Sequence, residues 1–441
     1  MVSEGVRPSA LFCGLQWPYF PGRSGGEIRD YHLVRALLET YRLRYFSVWD
    51  GPRGGREDPL RSRLDDWRTP DADERARARP GKIARILQHV RTKGWPVIGP
   101  RLPVDVAAHS SAVRALAPAL RRTIAAAEPD LLLVSPQVNP VGRFLGSLPA
   151  RTRMILGSYD VEAVRTERFA AASRGLARIA VQLDARRSEV FERENLARFD
   201  GVIAVSEVDA AIYRSRYGVL PERLVVIENG VDPEYFAFAP GNASPLSPNV
   251  VFAAAMGYPP NEDAAWRLVR HIMPRVRRSR EARLTLVGQQ PADGLRRQHD
   301  GEQTIVTGEV QDVRAYLAKA SVACVPLRFG SGTKIKVLEA MSAGVPVVCS
   351  TVAAEGLGIV HEEHALIADS DEALAANINR VLGDPALAAR LSATGRSLIE
   401  ARYAWDRCLS PLLPWLDHIR SLPRGSSTGE PLAALRSTFT D

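Results

Sequence analysis

Pro326–Val348 reads P-L-R-F-G-S-G-T-K-I-K-V-L-E-A-M-S-A-G-V-P-V-V, and its order is strand, glycine loop, helix, strand. The first strand is the apolar run Val322–Leu327. The helix opens near Thr333 and ends at Gly344, a residue suited to the left-handed C′ position, with Pro346 just beyond. Lys334 and Lys336 fall in the first helical turn, where the positive end of the macrodipole repels cations. An anion at that end removes the conflict, held by the lysines and by N–H groups of the Gly330-Ser331-Gly332 loop. Residue choice points the same way. Only five of the 58 basic residues are lysine (82, 93, 319, 334 and 336), and two of the five stand here. The pattern predicts a phosphate site. It is not a P-loop, which needs G-x-x-x-x-G-K-[ST], because Thr333 precedes the lysine. The competing reading is a glycine turn, a solvated helix, and Lys336 paired with Glu339 three residues on.

Outward from this stretch the same rhythm repeats. On its N-terminal side, strands are expected at Val250–Ala255, Arg283–Val287 and Thr304–Val306, with helices between them. On its C-terminal side helices dominate from about Asp371 to Arg420. Asp232–Pro248, rich in Pro, Gly, Ser and Asn, reads as a linker. Before it lies a second α/β set. Ala10–Trp17 and Leu43–Trp49 flank a glycine loop and a helix from about Glu27 to Thr40, whose apolar face is Ile28, Tyr31, Val34, Leu37 and Leu38. His32 lies off that face and reads as solvated. A helix follows over Ala107–Ala127, then strands at Asp130–Ser135 and Met154–Ser158. A long helical region over Val161–Phe199 precedes strands at Gly201–Val205 and Leu224–Ile227. Such alternation predicts mostly parallel, doubly wound sheets. The fold class expected is α/β, with two Rossmann-like domains facing across a cleft and ligands at the carboxyl ends of strands.

Composition bounds the function. The chain has 441 residues, 45% apolar and 24% charged, with a formal charge of +8, which favours an acidic partner. Basic residues without interleaved aromatics argue against nucleic acid. The four cysteines (13, 324, 349 and 408) form no C-x-x-C pair and read as buried free thiols of a reducing cytoplasm. No run of 18 apolar residues occurs, and the start M-V-S-E-G-V-R-P lacks a signal-peptide core. Residues 50 to about 106 form an Arg-rich insertion. Within it, Ile83, Ile86, Leu87 and Val90 make a helical apolar stripe ringed by Lys82, Arg85, Arg91 and Lys93, with Trp95 after the glycine. That suits an anionic membrane surface, reached peripherally from the cytoplasmic side. Packing on the first domain is the competing reading.

Several runs together resemble the retaining glycosyltransferases of family 4, which have the GT-B fold. They are M-G-Y-P-P-N-E-D-A, L-T-L-V-G, V-T-G-E-V-Q-D-V-R, the 326–348 stretch and E-E-H-A-L-I-A-D, with E-N-G-V-D at 228–232 and P-Y-F-P-G…G-G-E-I-R-D-Y-H-L near the start. The resemblance implies an acceptor domain over 1–231, a linker over 232–248 and a donor domain over 249–404. It also implies a helix at 405–420 returning to the first domain and a frayed tail at 421–441. It makes Glu339 the carboxylate for the donor's ribose hydroxyls and gives the diphosphate to Lys334, Lys336 and the Gly330, Ser331, Gly332 and Thr333 loop. Gly308 and Val310 would lie near the base. Gly25 and Gly26, a loop that equally suits a plain βα turn, would face the acceptor side. Asp160 and Glu162 are the acids there for orienting sugar or acceptor, and helix N-terminal acids favoured by the dipole are the competing reading. Two departures matter. Counting back from Glu339 through the family's E-x7-E places Ser331 where the first Glu belongs, and Gly257–Asn261 replaces its Arg/Lys pair. A D-x-D at Asp71-Ala72-Asp73, the metal motif of another glycosyltransferase class, follows no strand and reads as surface.

The resemblance implies sugar transfer from a nucleotide-diphosphate donor with retention, with no cofactor and no metal. Lys334, Lys336 and the helix N-terminus would stabilise the leaving diphosphate. Acceptors would be a glycan, a lipid-linked sugar or a small molecule, in polysaccharide, glycolipid or natural-product biosynthesis. A sugar-nucleotide epimerase of the same fold and a catalytically silent partner protein are the rival readings.

Overall fold

Runs such as A-L-F-C, L-L-L-V and G-V-I-A carry no charge, and strands made from them are buried on both faces, as parallel strands require. The computed structural model describes residues 7–22, 24–48, 60–71, 73, 106–239, 248–332 and 334–428. Thr333, the Lys82–Trp95 stretch and Ala72 lie outside them. The chain divides into two units, residues 1–227 with 409–441, and residues 228–408.

The first unit is built on strands β1 (Ser9–Gly14), β2 (Arg42–Ser47), β3 (Asp66–Arg68), β4 (Leu131–Val134), β5 (Arg153–Gly157), β6 (Gly201–Ala204) and β7 (Leu224–Val226). They form one parallel sheet in the order β3-β2-β1-β4-β5-β6-β7. Its helices include α1 (Gly25–Thr40), α2 (Val106–Ala127), α3 (Glu162–Ala172), α4 (Gly175–Leu196) and α5 (Glu207–Tyr217). The direction of winding reverses between β1 and β4, the place where such sheets receive ligands.

The second unit repeats this plan with β8 (Asn249–Ala253), β9 (Arg283–Val287), β10 (Thr304–Val306), β11 (Val322–Val325), β12 (Val347–Cys349) and β13 (Leu366–Ile367). The order is β10-β9-β8-β11-β12-β13, again parallel throughout, with the reversal between β8 and β11. Helices α6 (Pro259–Arg267), α7 (Ile335–Ser342), α8 (Asp371–Gly383) and α9 (Pro385–Leu398) cover it. Its apolar core runs from Phe252 and Leu286 through Val337 and Leu338 to Ile378 and Tyr403.

Several expectations change. Val161–Phe199 is two helices, α3 and α4, separated at Ser173–Arg174, with Gly175 at a positive φ of 57°. The insertion contributes β3, an edge strand registered Arg44↔Asp66 on β2. Residues 232–239, read as linker, are part of the second unit: Phe236 is buried and its carbonyl accepts from Ser342 Oγ at 3.0 Å and Arg396 at 3.1 Å. Residues 421–428, read as part of a frayed tail, are structured as well. Helix α10 (Leu412–Ser421) lies in the first unit, where Trp415 packs over Gly201, and Ser427 is buried with its N–H on Phe199 O at 2.7 Å. His32 is buried, not solvated. It lies edge-on to Phe20 and Tyr31, and burial, then Arg35, pushes its pKa down to about 2. All four cysteines are buried and free. No described helix is long and apolar enough to cross a membrane.

Candidate active site

The 326–348 stretch folds as strand β11, loop and helix α7. The helix begins at Ile335, with Lys334 as its N-cap in neither a helical nor an extended conformation (φ −88°, ψ 73°). Gly330 (φ 135°) and Gly332 (φ 68°) occupy backbone regions that side chains with a Cβ avoid. At the other end Gly344 (φ 79°) donates to Met341 O and Val345 N donates to Ala340 O, so the C-terminus closes as a Schellman turn.

Helix α7 is not a solvated helix. Of its eight residues six are fully buried, and Lys336 and Glu339, which are partly buried, share one face at i and i+3. Their side chains make no hydrogen bond or ion pair with each other or with any other described residue. Their charges still feel one another. Burial, then the charge of Lys334, lowers the Lys336 pKa to about 8, while Glu339 opposes that fall. Burial raises the Glu339 pKa to about 7, with Lys336 opposing. Lys334 is only 4% exposed, and its Nζ stands 3.7 Å from Oε2 of Glu355. Two cations and two carboxylates therefore gather beyond the carboxyl ends of β11 and β12.

The first turn of α6, which follows the loop after β8, lies against this place, since a Cβ on Gly330 would sit 3.7 Å from Pro260. Asn261 Nδ2 donates to Ala255 O at 2.9 Å and fixes that loop. Gly308 (φ 72°) follows β10, and Val310 packs partly on the core. They stand three strands from β11, roughly 14 Å along the sheet edge.

In the first unit Gly25 and Gly26 open α1, capped by Ser24 Oγ accepting from Glu27 N. A Cβ on Gly26 would lie 2.6 Å from the Tyr159 ring, which explains a glycine there without any ligand. Asp160 and Glu162 both face Arg165, Asp160 at 3.8 Å and Glu162 as a hydrogen-bonded pair. They are thus brought together by an arginine that was not foreseen. Glu192 of α4 accepts the Glu162 and Ala163 N–H groups at 2.8 and 3.1 Å and the Tyr217 hydroxyl at 2.6 Å, which caps α3.

Residues 25–235 match the family described as Glycosyltransferase Family 4, and residues 247–384 match the one described as Glycosyl transferases group 1. The chain belongs to the family 4 glycosyltransferases. Solved structures agree on the fold, which is GT-B. The sucrose-phosphate synthase of Thermosynechococcus elongatus superposes with a TM-score of 0.66 at 19% identity, over 92% of this chain and 97% of its own. Anabaena HepE, solved with UDP and glucose, gives 0.63 at 15% identity over 93% and 99%. WaaG, a glycosyltransferase involved in lipopolysaccharide biosynthesis, gives 0.61 at 14% over 93% and 100%. No curated protein matches the chain in sequence.

Two polar groups of this glycosyltransferase escaped the sequence reading. Asp30 on α1 is buried, accepts from Ser135 Oγ at 2.8 Å, and has its pKa raised to about 7 by burial. Ser135 Oγ also meets the Tyr159 hydroxyl at 3.0 Å, so Asp30, Ser135 and Tyr159 tie together α1 and the ends of β4 and β5. A signal existed: Glu27 and Asp30 sit at i and i+3 on the helix stripe that continues through Val34 and Leu37. The second is Glu355, for which local sequence held no signal, because its partner Lys334 follows the neighbouring strand β11.

Proposed function

We propose that this glycosyltransferase moves a sugar from a nucleotide-diphosphate donor to an acceptor hydroxyl, with retention and without a metal. The observation that carries this reading is the Lys336–Glu339 face of an otherwise buried helix, opening beside Lys334 at the winding reversal of the second sheet. Charges are retained in such surroundings when a ligand uses them. Breaking the bond between sugar and diphosphate builds negative charge on the leaving oxygens. Lys336, Lys334 and the α7 N-terminus are fixed in advance where that charge develops. Glu339 accepts from the ribose hydroxyls and orients the nucleotide. Retention follows if the acceptor attacks from the face the diphosphate leaves, with the leaving oxygen taking the acceptor proton. HepE, of the same fold, is solved with UDP and glucose, which supports a nucleotide-sugar donor here.

The acceptor belongs to a polysaccharide, a glycolipid or a natural product, as a glycan, lipid-linked or small-molecule hydroxyl. The test is a panel of nucleotide sugars scored by thermal shift, followed by product analysis with and without EDTA. Release of nucleoside diphosphate and an α- or β-linkage matching the donor are expected, unaffected by the chelator. A C2-epimerised donor would establish an isomerase. Binding of no nucleotide sugar would remove the donor reading.

A further inference from the structure

We propose that Glu355 recognises the sugar of the donor, accepting hydrogen bonds from its hydroxyl groups. This rests on the nucleotide-sugar reading of the same site. The strand order supplies a direction. With the base beside Gly308 after β10 and the diphosphate at the α7 N-terminus after β11, a ligand running along the carboxyl edge continues toward β12. The chain leaving β12 passes Ser350, whose Oγ caps the short helix Thr351–Ala354 and donates to Leu327 O at 2.6 Å, and then reaches Glu355. That hydrogen bond ties the loops after β11 and β12 to each other. Glu355 is thereby held with its carboxylate 3.7 Å from the Lys334 ammonium.

Lys334 is enclosed at 4% exposure, whereas the Glu355 side chain keeps 37% of its surface exposed next to the phosphate loop. The neighbouring acids are committed elsewhere. Asp263 holds Arg328, Asp369 accepts the Thr351 N–H and hydroxyl, and Asp371 holds Arg267. Glu309 follows β10, four strands from β12. Carboxylate oxygens accept strong hydrogen bonds from hydroxyl donors. Sugar hydroxyls are such donors.

The experiment compares two probes by calorimetry, the nucleoside diphosphate that gives the largest thermal shift and its sugar conjugate. Glu355→Gln is expected to weaken the sugar nucleotide about 10- to 100-fold, and to leave the free nucleoside diphosphate unchanged or tighter, because Lys334 loses its counter-charge. Glu355→Asp, which keeps the charge but shortens the reach, should fall between, and it decides the matter if the Gln variant melts early. Equal weakening of both probes would show that Glu355 acts only through Lys334 and would overturn the proposal, as would no change in either. If the unaltered protein binds neither probe, it is the donor reading that fails.

Discussion

Lys336 and Glu339 carry opposite charges three residues apart in surroundings that disfavour both. The pKa of the carboxyl is raised to about 7 and that of the ammonium is lowered to about 8. Donor binding needs the carboxylate and the cation. The carboxylate is lost as pH falls through about 7, and the cation is lost as pH rises through about 8. Donor affinity should therefore peak between these values and fall on either side, as titration calorimetry across about pH 6 to 9 would show. A flat profile would sink the assignment of both residues. Glu339→Gln keeps the shape and removes the acid limb, and it should weaken donor binding by roughly 1.5–3 kcal/mol with little change in melting temperature. Unchanged affinity would leave Glu339 only its electrostatic relation to Lys336. Lys336→Ala should lower kcat more than it raises KM, because leaving-group charge grows toward the transition state. A raised KM at constant kcat would instead mark it as a uniform binder.

Among elements, packing decides what local pattern cannot. Gly201 opens β6, and a Cβ there would lie 2.8 Å from the Trp415 ring of α10. Gly201→Ala should cost about 1–3 kcal/mol in chemical unfolding, as overpacked cores do. In Trp415→Leu the same glycine change should cost much less, a coupling that a double-mutant cycle measures. Additive costs would mean the ring does not define that site. Long apolar strands and α7 were legible because their signals are local: an uncharged run, a C′ glycine at 344, a proline at 346. Strands β3 and β13, of three and two residues, have too few positions to show a period, and their neighbours set their register. On α1, Val34, Leu37 and Leu38 of the expected face are buried and Ile28 and Tyr31 only partly, while His32 was read as solvated and Asp30 was passed over, because a helical period alone does not show which polar groups find partners. Ser135 satisfies Asp30 from 105 positions away. Glu355 was hidden because its ion-pair partner Lys334 follows a different strand.

Over the whole chain, the excess of positive charge has two uses. Much of the arginine is structural, since a planar fork of donors suits orphan carbonyls. Arg29 donates to Ile227 O, Arg223 to Asp200 O and Arg267 to Pro326 O, all in buried positions. Lysine, a compact charge, is kept for few places, and two of the five lysines flank the α7 N-terminus. Two more, Lys82 and Lys93, bracket the apolar stripe Ile83, Ile86, Leu87 and Val90 ahead of Trp95. That sequence predicts a basic amphipathic helix, and a lipid-linked acceptor would give it a use at an anionic membrane. Each basic group near such a surface contributes about 1 kcal/mol, screened by salt. The protein should co-sediment with phosphatidylglycerol-containing vesicles at low ionic strength, less so as salt rises, and not with neutral vesicles. Ile86→Glu/Leu87→Glu removes the apolar stripe without touching the basic residues, so it should reduce binding while leaving donor affinity unchanged. If the protein ignores anionic vesicles even at low salt, the stripe packs against protein and the acceptor is one that diffuses to the enzyme.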